Sequence, residues 1–159
     1  MLSPATPLRR VRSVLLAILA FCVVLPAAAR AQAVRTEVSA KDMTRILTSM
    51  GLEVQALDAG SAERSAMKFE LGGYPVVLVL ANGNSDASLY AGFTDTKTKV
   101  NKVNEWNQQK RFSRAYIDKD GDPVLEADID FTGGVTEANI KAWVKLYRDQ
   151  LMEYARFLS

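Results

Sequence analysis

The stretch DKDGDPVLEADID, Asp118 to Asp130, carries six carboxylates and a single lysine. Carboxylates at that density offer three chemistries: ligation of a hard cation, general acid/base hydrolysis, or simple solvation of a strand face. A calcium loop of the EF-hand type needs glycine at its sixth position and a bidentate glutamate at its twelfth. Counted from Asp118, glycine falls fourth, at Gly121, and the twelfth residue is Ile129. The register excludes that loop. On a strand, Glu126, Asp128 and Asp130 share one face at about 6.5 to 7 Å intervals, which overlaps the lower end of the carboxylate spacing in inverting glycosidases. This acidic face is one candidate site, a hydrolytic pair or a weak divalent-cation site. The competing reading is a solvated face partly offset by Arg111 and Lys119, because nothing in the sequence predicts the cleft that acid/base chemistry requires.

The element that positions these carboxylates is a hairpin. Asp120-Gly121 suits a two-residue type I′ turn, which pairs Lys119 with Asp122, Tyr116 with Leu125, Ser113 with Asp128 and Arg111 with Asp130. One face then holds Phe112, Tyr116, Leu125, Ala127, Ile129 and Phe131, and the other Arg111, Glu126, Asp128 and Asp130. Alternation aims Arg114 at the Phe112 and Tyr116 face, where a cation must be paired with a carboxylate or escape at the sheet edge.

Other nucleophile and metal chemistries are narrowed by composition. The chain has no histidine, and its one cysteine, Cys22, lies in an early apolar run. Beyond that run there are no thiolates, disulfides, Cys/His zinc sites or Ser-His triads. Gly72-Gly73 lacks the lysine and helix of a phosphate loop, and no spacing recommends a Ser-Lys pair. No metal site, cofactor or catalytic constellation is expected.

The first 33 residues read as a targeting segment. Arg9, Arg10 and Arg12 precede the apolar run from Val14 to Leu25, too short to span a bilayer comfortably at about 20 residues. Pro26 ends it, and Ala29, Ala31 and Ala33 supply small residues for cleavage. The expectation is a signal peptide cut after Ala33, with Ala31 the second choice, and a periplasmic or secreted product with no membrane span. The full chain has 20 Lys+Arg against 18 Asp+Glu; removing Arg9, Arg10, Arg12 and Arg30 leaves 16 against 18. A chain of that balance gives no argument for nucleic acid.

Residues 34–38 are expected to be a short disordered lead, and residues 39–159 a single domain. Ser39 is an N-cap candidate, with Met43, Ile46, Leu47 and Met50 on one helical face before Gly51. LEVQAL, MKFEL, YPVVLVLA and ASLYAGF read as up to four meandering antiparallel strands, the first the weakest. A second helix is expected over residues 97–110, with Val100, Val103 and Trp106 in one arc. Asn107 also falls there and must find hydrogen-bond partners on a neighbouring strand or turn. After the hairpin, Thr136 caps a long final helix whose stripe is Ile140, Trp143, Val144, Tyr147, Leu151, Tyr154 and Leu158. Leu146 and Phe157 widen that stripe beyond what packing on one sheet needs. Leu146, Phe157 and Trp143 are therefore the candidate surface for a polypeptide partner or a second copy.

FELGGYPVVLVL followed by KVNEWNQQKRFSRAYIDKDGDPVLEADIDFTGGVT resembles the YbjN domain family, described as bacterial sensory transduction regulators. Asn104, Trp106, Asn107, Phe112, Arg114 and Tyr116 carry the most specific part of the likeness. The resemblance implies an α+β fold similar to type III secretion chaperones: a helix, an antiparallel meander, a helix, a hairpin and a closing helix. It implies no catalytic residues. A chaperone-like or regulatory, non-enzymatic module that holds a protein partner or itself is the expected function.

Overall fold

A computed structural model describes residues 33–61, 63–94 and 96–159. The segment read as a signal peptide lies outside them, apart from Ala33. Ser39 accepts a hydrogen bond from the Asp42 amide and starts α1 (Ala40–Thr48), whose Met43, Ile46 and Leu47 are buried. Four strands follow in the expected meander: β1 (Gln55–Leu57), β2 (Ser65–Leu71), β3 (Tyr74–Ala81) and β4 (Asp86–Gly92). Then come α2 (Val100–Gln109), the hairpin β5 (Arg114–Ile117) and β6 (Pro123–Asp130), and α3 (Glu137–Leu158). The α+β layout matches the sequence expectation.

All strand pairs are antiparallel, in the order β1-β2-β3-β4-β6-β5. Alternation gives one face a continuous apolar layer: Met67, Phe69 and Leu71, then Val76, Leu78 and Leu80, then Ala87, Leu89 and Ala91, then Leu125 and Ala127. The helices cover this face. Thr136 and Asn139 form a reciprocal capping box at the start of α3. From there Ile140, Val144, Tyr147, Leu151 and Tyr154 run into the core. Tyr147 donates its hydroxyl to the Leu125 carbonyl at 2.8 Å, fixing α3 to β6. Trp143 and Leu158 are only partly buried against that core. At the other end of the stripe, Glu137 bridges Arg45 of α1 and Lys141 of α3. Hydrogen bonds from Lys141 and Arg45 hold its carboxyl down at about 2.

Four expectations change. Residues 34–38 are tied down: Arg35 pairs with Val135 and Val38 is fully buried. Helix α2 begins three residues late, and Val100 is 60% exposed at its first turn rather than facing the core. The hairpin loop has three residues, not two. Asp118 Oδ1 accepts from the amides of both Asp120 and Asp122, and Gly121 takes φ +85°. This is the turn followed by a left-handed glycine that closes three-residue hairpins. The fourth change follows from the third. The register slips by one, pairing Tyr116 with Val124 and Ala115 with Leu125. A one-residue slip exchanges the faces of a strand, so Ala115 is buried and Tyr116 joins Arg114 on the opposite side.

The tyrosines give an alkaline signature. Burial, aided at Tyr116 by the Glu126 charge, pushes the Tyr116 and Tyr154 phenols up to about 12, and burial raises Tyr147 further. Their protonated forms favour the folded state, so this stability is intact below the ordinary value of about 10. It is lost as pH climbs from there through 12. Tyrosinate absorbance from Tyr116 and Tyr154, read as the difference on replacing each with phenylalanine, should therefore rise together with the change in far-ultraviolet circular dichroism above pH 10; ionisation of either near 10 in an intact fold would contradict this.

Candidate functional site

The face of the sheet opposite the helices is uncovered among the described residues. Cross-strand pairing builds a row across it: Lys68, Val77, Tyr90, Glu126 and Arg114. A second row runs Ala66, Val79, Ser88 and Asp128. Val77, Val79, Tyr90 and Tyr116 are each partly exposed there, an apolar strip through the middle of the sheet.

Glu126 belongs to this open face, as alternation predicts, yet it is only 3% exposed. The expectation of a solvated glutamate is thus corrected. Arg114, directly across on β5, donates Nε to Oε2 at 3.1 Å and Nη2 to Oε1 at 2.6 Å. This fork is the strong bidentate form of a guanidinium-carboxylate pair. It holds the guanidinium above its ordinary value. Burial first, and then the negative charge of Glu126, raises the neighbouring Tyr90 phenol. Asp128 lies 3.7 Å from Arg114 Nη2 and accepts from the Ser88 hydroxyl. Asp130 is exposed and accepts from the amide and hydroxyl of Thr132, which hold its carboxyl below the usual carboxylate range. Of the three acids, Glu126 is committed to Arg114 through both oxygens, Asp128 to Ser88, and Asp130 to a local turn. Among the described residues no three acids, histidines or cysteines come together as a metal-holding set.

Phe112 is the largest departure from expectation. Placed by alternation in the core, it is instead 69% exposed, just before β5, at φ +68°. A bulky side chain in the left-handed region is strained by roughly 1 to 2 kcal/mol. Its ring faces the Arg111 guanidinium at 5.4 Å and, with Ser113, Arg114, Glu126, Ala127 and Asp128, it lines a shallow hollow at the rim of the open face.

The remaining residues of the helix-to-hairpin passage position that rim. Trp106 is 1% exposed and donates its indole N–H to Ser113 Oγ at 3.3 Å. Asn107, expected to point inward, is exposed, but it does bridge to a strand. Its Nδ2 donates to the Ala115 carbonyl at 2.9 Å and its Oδ1 accepts the Ala115 amide at 2.8 Å. The amide thus imitates one residue of a neighbouring strand and closes the outer edge of β5. Asn104 is exposed on α2. Asn107→Ala leaves both Ala115 groups unpaired and should cost about 1 to 3 kcal/mol. It should also raise concentration-dependent association through the opened edge, measurable by denaturant unfolding and light scattering; an unchanged midpoint with a strictly monomeric variant would contradict this.

The three residues read as a partner surface are not brought into one patch. Leu146 is 39% exposed, whereas Trp143 and Phe157 are partly buried against the core. Phe157 lies roughly 16 Å along the helix from Leu146. There it packs on Trp106 at 5.6 Å and Tyr154 at 6.2 Å, under Lys102.

Tyr90, Ser88, Val77 and Val79 were not singled out from the sequence. The alternation in DASLYAG does place Ser88 and Tyr90 opposite Ala87, Leu89 and Ala91. Only the strand order shows that Tyr90 meets Glu126 and Ser88 meets Asp128.

The fold and this face define a class: a single-sheet α+β domain with helices on one side and a pre-paired, partly apolar surface on the other. Over residues 39–159 the chain matches the YbjN family, described as "Putative bacterial sensory transduction regulator", and it belongs to that family. No curated protein and no solved structure gives a significant match.

Proposed function

We propose that the protein is a non-enzymatic, chaperone-like regulatory module of the periplasm or the extracellular medium, which holds a polypeptide partner or a second copy on its open sheet face. One observation carries this reading. An exposed phenylalanine is held in a strained conformation at the end of an uncovered apolar strip. Strain of that kind persists where the surrounding structure enforces it, and it concentrates at ligand clamps. Exposed aromatics beside satisfied charges are what interface centres use. The fork on Glu126 supports binding over catalysis, because a carboxylate engaged through both oxygens is a poor general base. The β1 edge, with all three residues exposed, offers strand addition as a second point of contact. The periplasmic or secreted setting rests on the basic, apolar and small-residue segments of residues 1–33.

Phe112→Gly separates function from folding. Glycine occupies positive φ freely, so the variant should be as stable as the parent or more stable by about 1 kcal/mol. Partner capture or self-association should nevertheless fall by tenfold or more, a loss of roughly 1.4 kcal/mol. Unchanged association by a folded Phe112→Gly protein would sink the proposal.

A further inference from the structure

On the helix side, away from the open face, a groove of about 750 Å³ lies between the end of α1, the β2–β3 turn and α3. That volume is within the range of small-molecule sites. Its floor is Met50, Leu52, Leu71, Val144 and Met152, and its rim carries Lys141, Lys145 and Arg148. No acid lines it. Lys141 is paired with Glu137 and Arg148 with its neighbour Asp149, while Lys145 is in no ion pair among the described residues. The groove has an apolar base and a free cation above it.

Gly72 keeps it open. At φ +63°, a side chain there would be strained, and its Cβ would lie 3.1 Å from Met152 Cγ. The two methionines supply a soft, adaptable wall. From Lys145, the unpaired cation, to Met152 α3 rises roughly 10 Å at 1.5 Å per residue, the length of a medium acyl chain. A peptide would fit poorly. It would bring a row of backbone donors and acceptors into walls with almost nothing to pair them, since the Ser49 hydroxyl is already donated to the Ile46 carbonyl. An acyl chain has no such groups.

We propose that this groove binds a single-chain anionic amphiphile, its tail along Met50, Leu52, Leu71 and Met152 and its carboxylate or phosphate head at Lys145. The site is separate from the open sheet face and does not depend on that reading.

Calorimetric titration of the purified protein, as the cell produces it, with dodecanoate and dodecyl phosphate below their micellar concentrations tests this. Both should bind with one-to-one stoichiometry, and preference between them identifies the head group. Lys145→Glu should weaken them about tenfold, some 1.4 kcal/mol, and should leave dodecanol unaffected. Met152→Trp, which fills the groove from an exposed position, should block all three with the charges intact. Circular dichroism checks that both variants are folded. No binding of either anion overturns the proposal. So does equal binding of dodecylamine, or binding that neither variant changes. Displacement of dodecanoate by an acidic peptide at comparable affinity would assign the groove to polypeptide instead and also overturns it.

Discussion

Trp106→Ala should lower unfolding free energy by about 3 to 5 kcal/mol, the cost of deleting a large buried aromatic. For a domain of this size that corresponds to roughly 10 to 20 °C in Tm. Trp106 is the joint between three elements. Its ring packs edge-on against Tyr154 at 4.9 Å and beside Phe157 at 5.6 Å, both on α3. Its N–H reaches Ser113, on the approach to β5. Phe93 continues the cluster, 5.4 Å from Tyr154. Alanine would leave a cavity among these rings and free α2 from α3. Trp106→Phe keeps most of the contact and should lose much less. Thermal unfolding of the two variants measures the difference; a shift of only 1 or 2 °C for alanine would show that α2 is not anchored as described.

The second large effect concerns the fork. Breaking a buried ion pair by removing one partner typically costs about 3 to 5 kcal/mol, because an uncompensated charge is left behind. Arg114 is itself largely exposed, with 63% of its side chain in solvent. Water can therefore reach the vacated side, and Arg114→Ala should cost nearer 2 to 3 kcal/mol. The double variant Arg114→Met/Glu126→Leu removes the buried charge as well and should recover most of that loss. A double-mutant cycle should then give a coupling of at least about 1.5 kcal/mol. Additive single losses would mean that the pair is ornamental and that Glu126 is stabilised by something else.

Much of the fold could be read from local pattern. Ser39 with Met43, Ile46 and Leu47, and Thr136 with the stripe from Ile140 to Tyr154, are helix signals in which capping and periodicity agree. Strands β2, β3 and β4 of the meander were legible because their inward residues are apolar at every second position, whereas β1 buries none of its three residues. The hairpin was half legible. Alternation correctly placed Leu125 and Ala127 inside and Glu126 and Asp128 outside. The partner strand slipped because the Asp118 carboxylate, rather than the Asp-Gly dipeptide alone, sets the loop length. That slip moved Tyr116 outward. Phe112 followed a different rule, being turned outward by its own positive φ in the link from α2 to β5.

The candidate site was less legible than the fold. Glu126 looks like one of several solvated acids in sequence. Its burial needs Tyr90 from β4 and Arg114 and Tyr116 from β5, and this depends on β6 lying between those strands. Such long-range order has no signature within DKDGDPVLEADID. The groove beside Lys145 is likewise assembled from three separated segments. Phe157, legible only as an apolar residue at the margin of a helical stripe, turns out to be cemented to Trp106. A charge placed there would test folding and not binding, so the open face is the better place to probe association.

The most direct test is site-specific photocrosslinking in the producing cell, with the reactive side chain placed in turn at Val79, Phe112 and, as a control on α3, Leu146. The account predicts that Val79 and Phe112 yield one discrete adduct, either with a single polypeptide or with a second copy. Phe112→Gly should abolish the adduct formed from Val79. Adducts from Leu146 alone, or Val79 adducts that survive Phe112→Gly in a folded protein, would contradict it.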